Sequence, residues 1–115
     1  MTEPVIDRAT FEDLKATAGA DFVQELVDTF LADAPRMLSE LRSALAANDA
    51  ERFRRTAHSL KSNSNTFGAL SLGAMAKTLE VRGIATVREA AGAPLDDLER
   101  EYARVAQALS ELKHA

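Results

Sequence analysis

Apolar residues recur every three or four positions along almost the whole chain, which is the periodicity of amphipathic helices. The strict alternation of apolar and polar residues that marks half-buried strands is missing, and the 115 residues include only 5 glycines and 3 prolines. We therefore predict an all-α protein. The predicted helices span residues 7–18, 21–47, 49–67, 69–83 and 94–113.

The longest predicted helix, 21–47, contains a proline at position 35. Pro35 removes one backbone hydrogen bond and kinks or divides a helix. Because the apolar stripe continues through Pro35 without changing phase, we predict one long kinked helix. The stripe consists of Phe22, Leu26, Phe30, Ala34, Met37, Leu38, Leu41 and Leu45.

The predicted connections between the helices are short. Segment 84–93 is predicted as a linker with room for one helical turn, and Pro94 then begins the last helix. Four long amphipathic helices with short connections favour an antiparallel four-helix bundle, with the short first helix as an additional N-terminal element. A length of 115 residues fits one domain, so we predict a single helical domain over residues 1–115.

Composition narrows the possible function classes. The chain has no cysteine, which excludes thiolate metal sites and cysteine catalysis and fits a reducing cytoplasm, where we expect the protein to act. A net charge of −4 argues against general nucleic-acid binding. No apolar run approaches the roughly 20 residues of a membrane span, and the N-terminal sequence lacks the pattern of a signal peptide, so we expect no membrane insertion.

The charge is unevenly distributed along the chain. Between Glu51 and Glu80 there is no acidic residue, although the chain has 18 acidic residues in all. This basic segment can be a solvated helix face or a site for an anion or an acidic partner. Its basic residues are Arg52, Arg54, Arg55, Lys61 and Lys77.

The basic segment contains a histidine that helical geometry places outside the core. Phe53, Ala57, Leu60, Ser64 and Phe67 form the apolar stripe of the predicted helix 49–67. At 100° per residue, the histidine at position 58 lies about 140° from the centre of that stripe. We therefore expect an exposed imidazole. A second stripe on the outer side holds His58, Lys61, Ser62 and Asn65, with Arg54 and Arg55 on the adjacent turn.

Several chemistries are poorly supported at this histidine. The chain has two histidines, His58 and His114, which do not make a helical metal site, so we predict no bound metal. Ser59 points about 100° around the helix from His58, which argues against a serine–histidine pair. Geometry alone leaves two interpretations of His58 open, an inert surface residue and a functional group.

The segment "AHSLKSNSNTFGAL", residues 57–70, resembles the signature of histidine-containing phosphotransfer (HPt) domains. That signature has a histidine, an apolar residue two positions on, lysine three on, a small residue four on and glycine ten on. The flanking sequence "FLADAPRMLSELRSALAANDAERFRRTAHSL" resembles the second and third helices of the same family, including the internal proline. The resemblance covers about residues 10–112.

The resemblance implies a phosphorelay function. His58 would accept a phosphoryl group from the aspartyl phosphate of a receiver domain and pass it to another receiver aspartate. Lys61 would stabilise the phosphoryl oxygens, and Glu80 matches a position where many members place a residue that bonds the imidazole Nδ1. Ser62 departs from the commonest pattern, which has glycine there so that a receiver can approach.

The resemblance also implies the partners. We expect response-regulator receiver domains, a hybrid sensor kinase, or both, to contact a surface around His58. The domain would be a phosphoryl carrier, not an enzyme, with no ATP or metal site and no cofactor of its own, because the receiver supplies Mg²⁺. We expect a monomer. The predicted contact residues are Arg54, Arg55, Ser62, Asn65 and Gly68.

Two other functions are compatible with the same residues. The chain could be the phosphoacceptor module of a chemotaxis-type histidine kinase, whose phosphoryl donor is a kinase active site that uses ATP. It could also be a non-catalytic helical adaptor that docks a receiver domain, in which case His58 would be dispensable.

Overall fold

The protein, described by a computed structural model over residues 5–113, is built from α-helices in this range. The all-α prediction is therefore confirmed, and the second histidine, His114, lies outside the described residues. The helices are α1 Arg8–Ala18, α2 Ala20–Ala47, α3 Ala50–Thr66, α4 Leu70–Arg82, α5 Ile84–Glu89 and α6 Ala93–Lys113.

Four of these helices form the bundle. Helix α2 packs on α3 and α6, and α4 also packs on α3 and α6, so the four helices enclose one core. No helix within residues 5–113 is both long enough and apolar enough to cross a bilayer. The largest fully buried core side chains come from α1, α2, α3, α4, α5 and α6 together: Phe11, Val27, Leu41, Phe53, Leu60, Leu72, Val87, Leu95, Leu98, Val105 and Leu109.

The predicted position of Phe22 in the core is wrong. Phe22 is 52% exposed, and Val23 and Val27 line the core in its place. Seven residues of a helix turn through about 700°, which puts Val23 within about 20° of Phe30, whereas the eight residues from Phe22 to Phe30 leave an offset of about 80°. A run of four-residue steps therefore drifts off the buried face.

Helix α2 continues through Pro35 without a break, as predicted. Proline has no backbone N–H, so the carbonyl oxygen of Leu31, four residues earlier, loses its helical donor. The hydroxyl of Tyr102 on α6 donates a long hydrogen bond of 3.4 Å to this oxygen. The Tyr102 ring also packs edge-on against Phe30, with 6.1 Å between the ring centroids. Helix α6 thus replaces the bond that Pro35 removes.

Segment 84–93 contains more structure than the predicted linker. Residues 84–89 form the short helix α5, and its Ile84 and Val87 are buried in the core. Gly83 precedes it with a φ of 80°, which separates α5 from α4. Six residues show less than two helical turns of periodicity, which is why the sequence pattern did not resolve this helix.

The start of α1 is fixed to the turn between α3 and α4. The Asp7 side chain caps α1 by accepting a hydrogen bond of 3.1 Å from the Thr10 backbone, and the Asp7 N–H donates 2.8 Å to the Gly68 carbonyl. Gly68 follows α3 in the left-handed region, with a φ of 83°. A side chain on Gly68 would also place its Cβ 2.7 Å from the Asp7 carbonyl oxygen, so glycine is required here on two grounds.

Candidate functional site

Helix α3 presents its two faces to different environments. Phe53, Ala57 and Leu60 are fully buried. Ser64 is polar but also buried, and its hydroxyl is satisfied by a hydrogen bond of 2.7 Å that it donates to the Leu60 carbonyl. The His58 side chain is 55% exposed. The prediction that His58 lies outside the core is confirmed, and the rigid inner face of α3 holds the imidazole at the surface of the bundle.

Glu80 on α4 joins the two principal residues predicted for the site. Its Oε2 lies 2.7 Å from Nδ1 of His58, and its Oε1 lies 3.0 Å from Nζ of Lys61. The Glu80 side chain is 16% exposed and that of Lys61 is 24% exposed, so both are more sheltered than His58. Each carboxylate oxygen has one partner, and the three side chains form a single cluster across the α3–α4 seam.

The charge of Glu80 determines which ring nitrogen of the neutral His58 imidazole carries the hydrogen. The hydrogen bond from Lys61 lowers the pKa of the Glu80 carboxyl below its usual value, and the bond to His58 acts in the same direction, while burial opposes both. An ionised carboxylate can only accept hydrogen bonds. The hydrogen of the neutral ring must therefore sit on Nδ1, which leaves the lone pair of Nε2 on the outer side of the ring.

The arginines of the basic segment are engaged by nearby carboxylates. Arg54 binds Glu51 at 2.6 Å, and Arg55 reaches the same carboxylate at 4.0 Å. Arg52 pairs with Glu40 on α2. These pairs exchange partners at little cost, because ion pairs at the surface contribute only about 0–1 kcal/mol. Arg54 and Arg55, 50% and 69% exposed, stay accessible on the turn before His58.

The remaining predicted contact residues lie in three different settings. Ser62 is exposed on the same strip as His58, one turn further along α3. Asn65 is exposed as a residue, but its amide lies against Gly73 of α4. Gly68 is buried under the start of α1, which leaves it little surface for the partner contact predicted for it. It serves the turn geometry and the docking of Asp7 instead.

A groove between α2 and α3 adjoins the site and was not predicted. Its volume is about 610 Å³, and it runs along the side of α3 that carries Arg55. Single-helix patterns cannot show such a groove, because it depends on how two helices pair. Its lining residues are Asp33, Arg36, Met37, Glu40, Arg52, Arg55, Thr56 and Ser59.

Comparisons with known proteins give a family and a similar structure for this chain. The sequence profile of the Hpt domain matches residues 25–115. The crystal structure of histidine-containing phosphotransfer protein B (HptB) from Pseudomonas aeruginosa PAO1 is similar, with a TM-score of 0.88 and 32% sequence identity over 98% of this chain and 97% of that chain. The comparison with curated protein sequences gives no match.

This helical bundle matches the Hpt domain over residues 25–115, which places it in the phosphocarrier class of signalling proteins. The chain is a member of the Hpt domain family. Its role is histidine phosphotransfer in a two-component signalling relay, with receiver domains and kinases as the partners of the family.

Proposed function

We propose that Nε2 of His58 carries the phosphoryl group, which it receives from the aspartyl phosphate of one receiver domain and passes to an aspartate of another. The observation that supports this most directly is the 2.7 Å contact between Nδ1 of His58 and Glu80. It favours the ring hydrogen on the inner nitrogen, so that the lone pair of the other nitrogen is available to an approaching partner.

No proton has to leave Nε2 in the proposed transfer, because this nitrogen already presents a lone pair. The Nε2 lone pair forms a bond to phosphorus, the bond from phosphorus to the aspartyl oxygen breaks, and the aspartate leaves as a carboxylate. Nδ1 keeps its hydrogen, so the ring becomes positively charged as the new bond forms. The negative charge of Glu80 faces this developing charge and lowers the barrier. The reverse sequence transfers the group to the next receiver.

Lys61 is proposed to stabilise the phosphoryl oxygens. Its ammonium group lies on the same strip as His58 and is held by Glu80 at 3.0 Å before a phosphoryl group arrives. A phosphoryl group carries more negative charge than a carboxylate and has three acceptor oxygens. Lys61 can therefore turn from Glu80 toward the phosphoryl group while its stem keeps the same path along α3.

The partner surface is proposed to surround His58. Arg54, Arg55 and Ser62 are exposed there, and the α2–α3 groove extends the surface on one side. A receiver site is acidic, so the basic segment attracts it and raises the association rate. We infer that the receiver supplies Mg²⁺, that this chain needs no ATP, metal or cofactor site of its own, and that it acts as a cytoplasmic monomer.

The decisive experiment mixes the purified protein with phosphorylated receivers of its own organism. Acid-labile phosphate should appear on the wild type and on Ser39→Ala, an exposed serine of α2 outside both the strip and the groove, but not on His58→Gln. A separate arm contains ATP and candidate kinases without any receiver, and labelling there would favour the chemotaxis-type module. Binding of receivers without any phosphate, unchanged in His58→Gln, would favour the adaptor and reject the proposal.

A further inference from the structure

Gly73 stands within α4, where glycine is an unfavourable choice. Helix α4 spans Leu70–Arg82, and Gly73 is buried within it. It is not among the glycines of positive φ, so the backbone conformation does not require it. Glycine is the weakest helix former after proline. A buried glycine inside a helix therefore calls for a packing reason.

The packing reason is the side chain of Asn65 on α3. A Cβ built on Gly73 would lie 2.8 Å from Cγ and 3.3 Å from Nδ2 of Asn65, and the three heavy atoms nearest to it all belong to Asn65. The Asn65 amide thus fills the space that a side chain on Gly73 would need. The Asn65 side chain of α3 therefore packs directly against the backbone of α4 at Gly73.

The same seam carries the functional site two turns away. Asn65 follows His58 by seven residues on α3, and Gly73 precedes Glu80 by seven residues on α4. The two helices run antiparallel, so both pairs lie on one line along the seam. Between them the seam has Ala76, which is fully buried, and a small side chain keeps the helices close there as well.

We propose that Asn65 and Gly73 are positioning residues, which set the separation and register of α3 and α4 at which Glu80 reaches both His58 and Lys61. The inference rests on the proposed function only for its effect on transfer. The position of Glu80 itself can be measured in the unphosphorylated protein. Close packing transmits a local change in helix separation over two turns, because protein interiors leave few voids to absorb it.

The test follows His58 by ¹⁵N NMR in four proteins: the wild type, Gly73→Ala, Asn65→Ala and the double variant. The wild type should show the hydrogen on Nδ1. In Gly73→Ala the new methyl group occupies the space of the Asn65 amide. We expect it to widen the seam and so to give a mixture of tautomers and a transfer rate about tenfold lower, since small misplacements of reacting groups have effects of this size or larger.

The double variant Asn65→Ala/Gly73→Ala tests whether the effect of Gly73→Ala can be reversed. The Asn65→Ala change removes the amide that the new methyl group at position 73 would strike, so the Nδ1 tautomer and the transfer rate should return toward the wild-type values. Asn65→Ala alone removes the packing contact of the amide with Gly73 without creating a clash, and the change lies at an exposed position. We expect a partial shift of the His58 tautomer in this variant. Val105→Ala on α6 is the control for destabilisation, and it should lower Tm without changing the His58 signals.

Two results would overturn the inference. One is a wild-type tautomer in Gly73→Ala, which would mean that Asn65 turns aside without moving Glu80. The other is a tautomer change of the same size in Val105→Ala, which would reduce the effect to general loosening. Failure of the proposed function would look different, because the wild type would then accept no phosphoryl group although the tautomers respond as expected.

Discussion

At the scale of single residues, the site depends on a carboxylate with two partners. Glu80 binds His58 through one oxygen and Lys61 through the other. Removing its charge therefore affects both neighbours at once. The residue also shows what the sequence could predict: its link to His58 was suggested by the resemblance alone, whereas its link to Lys61 depends on the register of two helices and was not predicted.

Glu80→Gln should slow phosphoryl transfer by roughly tenfold or more, because a neutral amide no longer offsets the positive charge that develops on the ring. The glutamine keeps the size of the side chain, so the bundle should fold normally. Stopped-flow transfer from a phosphorylated receiver measures the rate, with circular dichroism as the check on folding. Wild-type kinetics in this variant would remove Glu80 from the site.

Glu80 also predicts a pH dependence of stability. The hydrogen bond from Lys61 lowers the pKa of the folded-state carboxyl below its usual 4.5. The ionised form therefore stabilises the fold above that value, and the contribution is lost as the pH falls through the lowered pKa. Urea unfolding should find Glu80→Gln less stable than the wild type at pH 7, with a difference that shrinks in acid. A constant difference at every pH would contradict this assignment.

Lys61→Ala should shorten the lifetime of the phosphohistidine and slow transfer without unfolding the bundle, because Lys61 lies outside the apolar stripe of α3. Lys77→Ala is the matched control, since Lys77 is an exposed lysine of the basic segment and has no contact with Glu80 in the described ion pairs. Decay of acid-labile phosphate measures the lifetime. Loss of helical signal in Lys61→Ala would show that the face assignment is wrong.

At the scale of helices, the periodicity of apolar residues predicted the long helices but did not resolve the six-residue helix α5. The apolar stripe of α3 was correct in every position, since Phe53, Ala57, Leu60, Ser64 and Phe67 are all buried. Helix α5 has too few residues to show a period. Phe22 was misplaced because four-residue steps drift around a helix of about 3.6 residues per turn.

Helix α2 offers a test of how the bundle compensates for its proline. Pro35→Ala should raise the free energy of unfolding by about 1–3 kcal/mol, because the new N–H can bond the Leu31 carbonyl and Pro35 itself is exposed. Tyr102→Phe should lower it by about 0.5 kcal/mol in the wild type, since its bond to Leu31 is long.

The two changes should not be additive. Once the Pro35→Ala variant supplies an N–H to the Leu31 carbonyl, the Tyr102 hydroxyl no longer contributes, so Tyr102→Phe should cost nothing in that background. A double-mutant cycle by urea denaturation measures the coupling. Equal costs of Tyr102→Phe in both backgrounds would show that the hydroxyl and the proline act independently.

At the scale of the whole molecule, an acidic protein presents a basic segment at its site. The net charge is −4, yet Arg54 and Arg55 stay exposed beside His58. The distribution of charge along the sequence located this asymmetry, because it depends only on the order of residues. It did not show that Glu51 and Glu40 engage the arginines of the segment, since Glu40 comes from another helix.

The asymmetry predicts a dependence on ionic strength. Raising the salt concentration from low values toward about 0.5 M should slow association with a receiver, because salt screens the attraction between exposed charges. The double variant Arg54→Ala/Arg55→Ala should start slower and respond less to salt. Surface plasmon resonance with the receiver immobilised gives the association rates. A wild-type rate that does not change with salt would exclude steering by this segment.

The site lies on one local hairpin. His58 and Glu80 are 22 residues apart and belong to consecutive helices joined by the short turn 67–69. Contacts between nearby parts of a chain form fast and need little loop closure. The hairpin should therefore assemble early in folding, before α6 closes the bundle. The described hydrogen bonds and ion pairs of His58, Lys61 and Glu80 all lie within this hairpin, so a loosening of α6 breaks none of them directly.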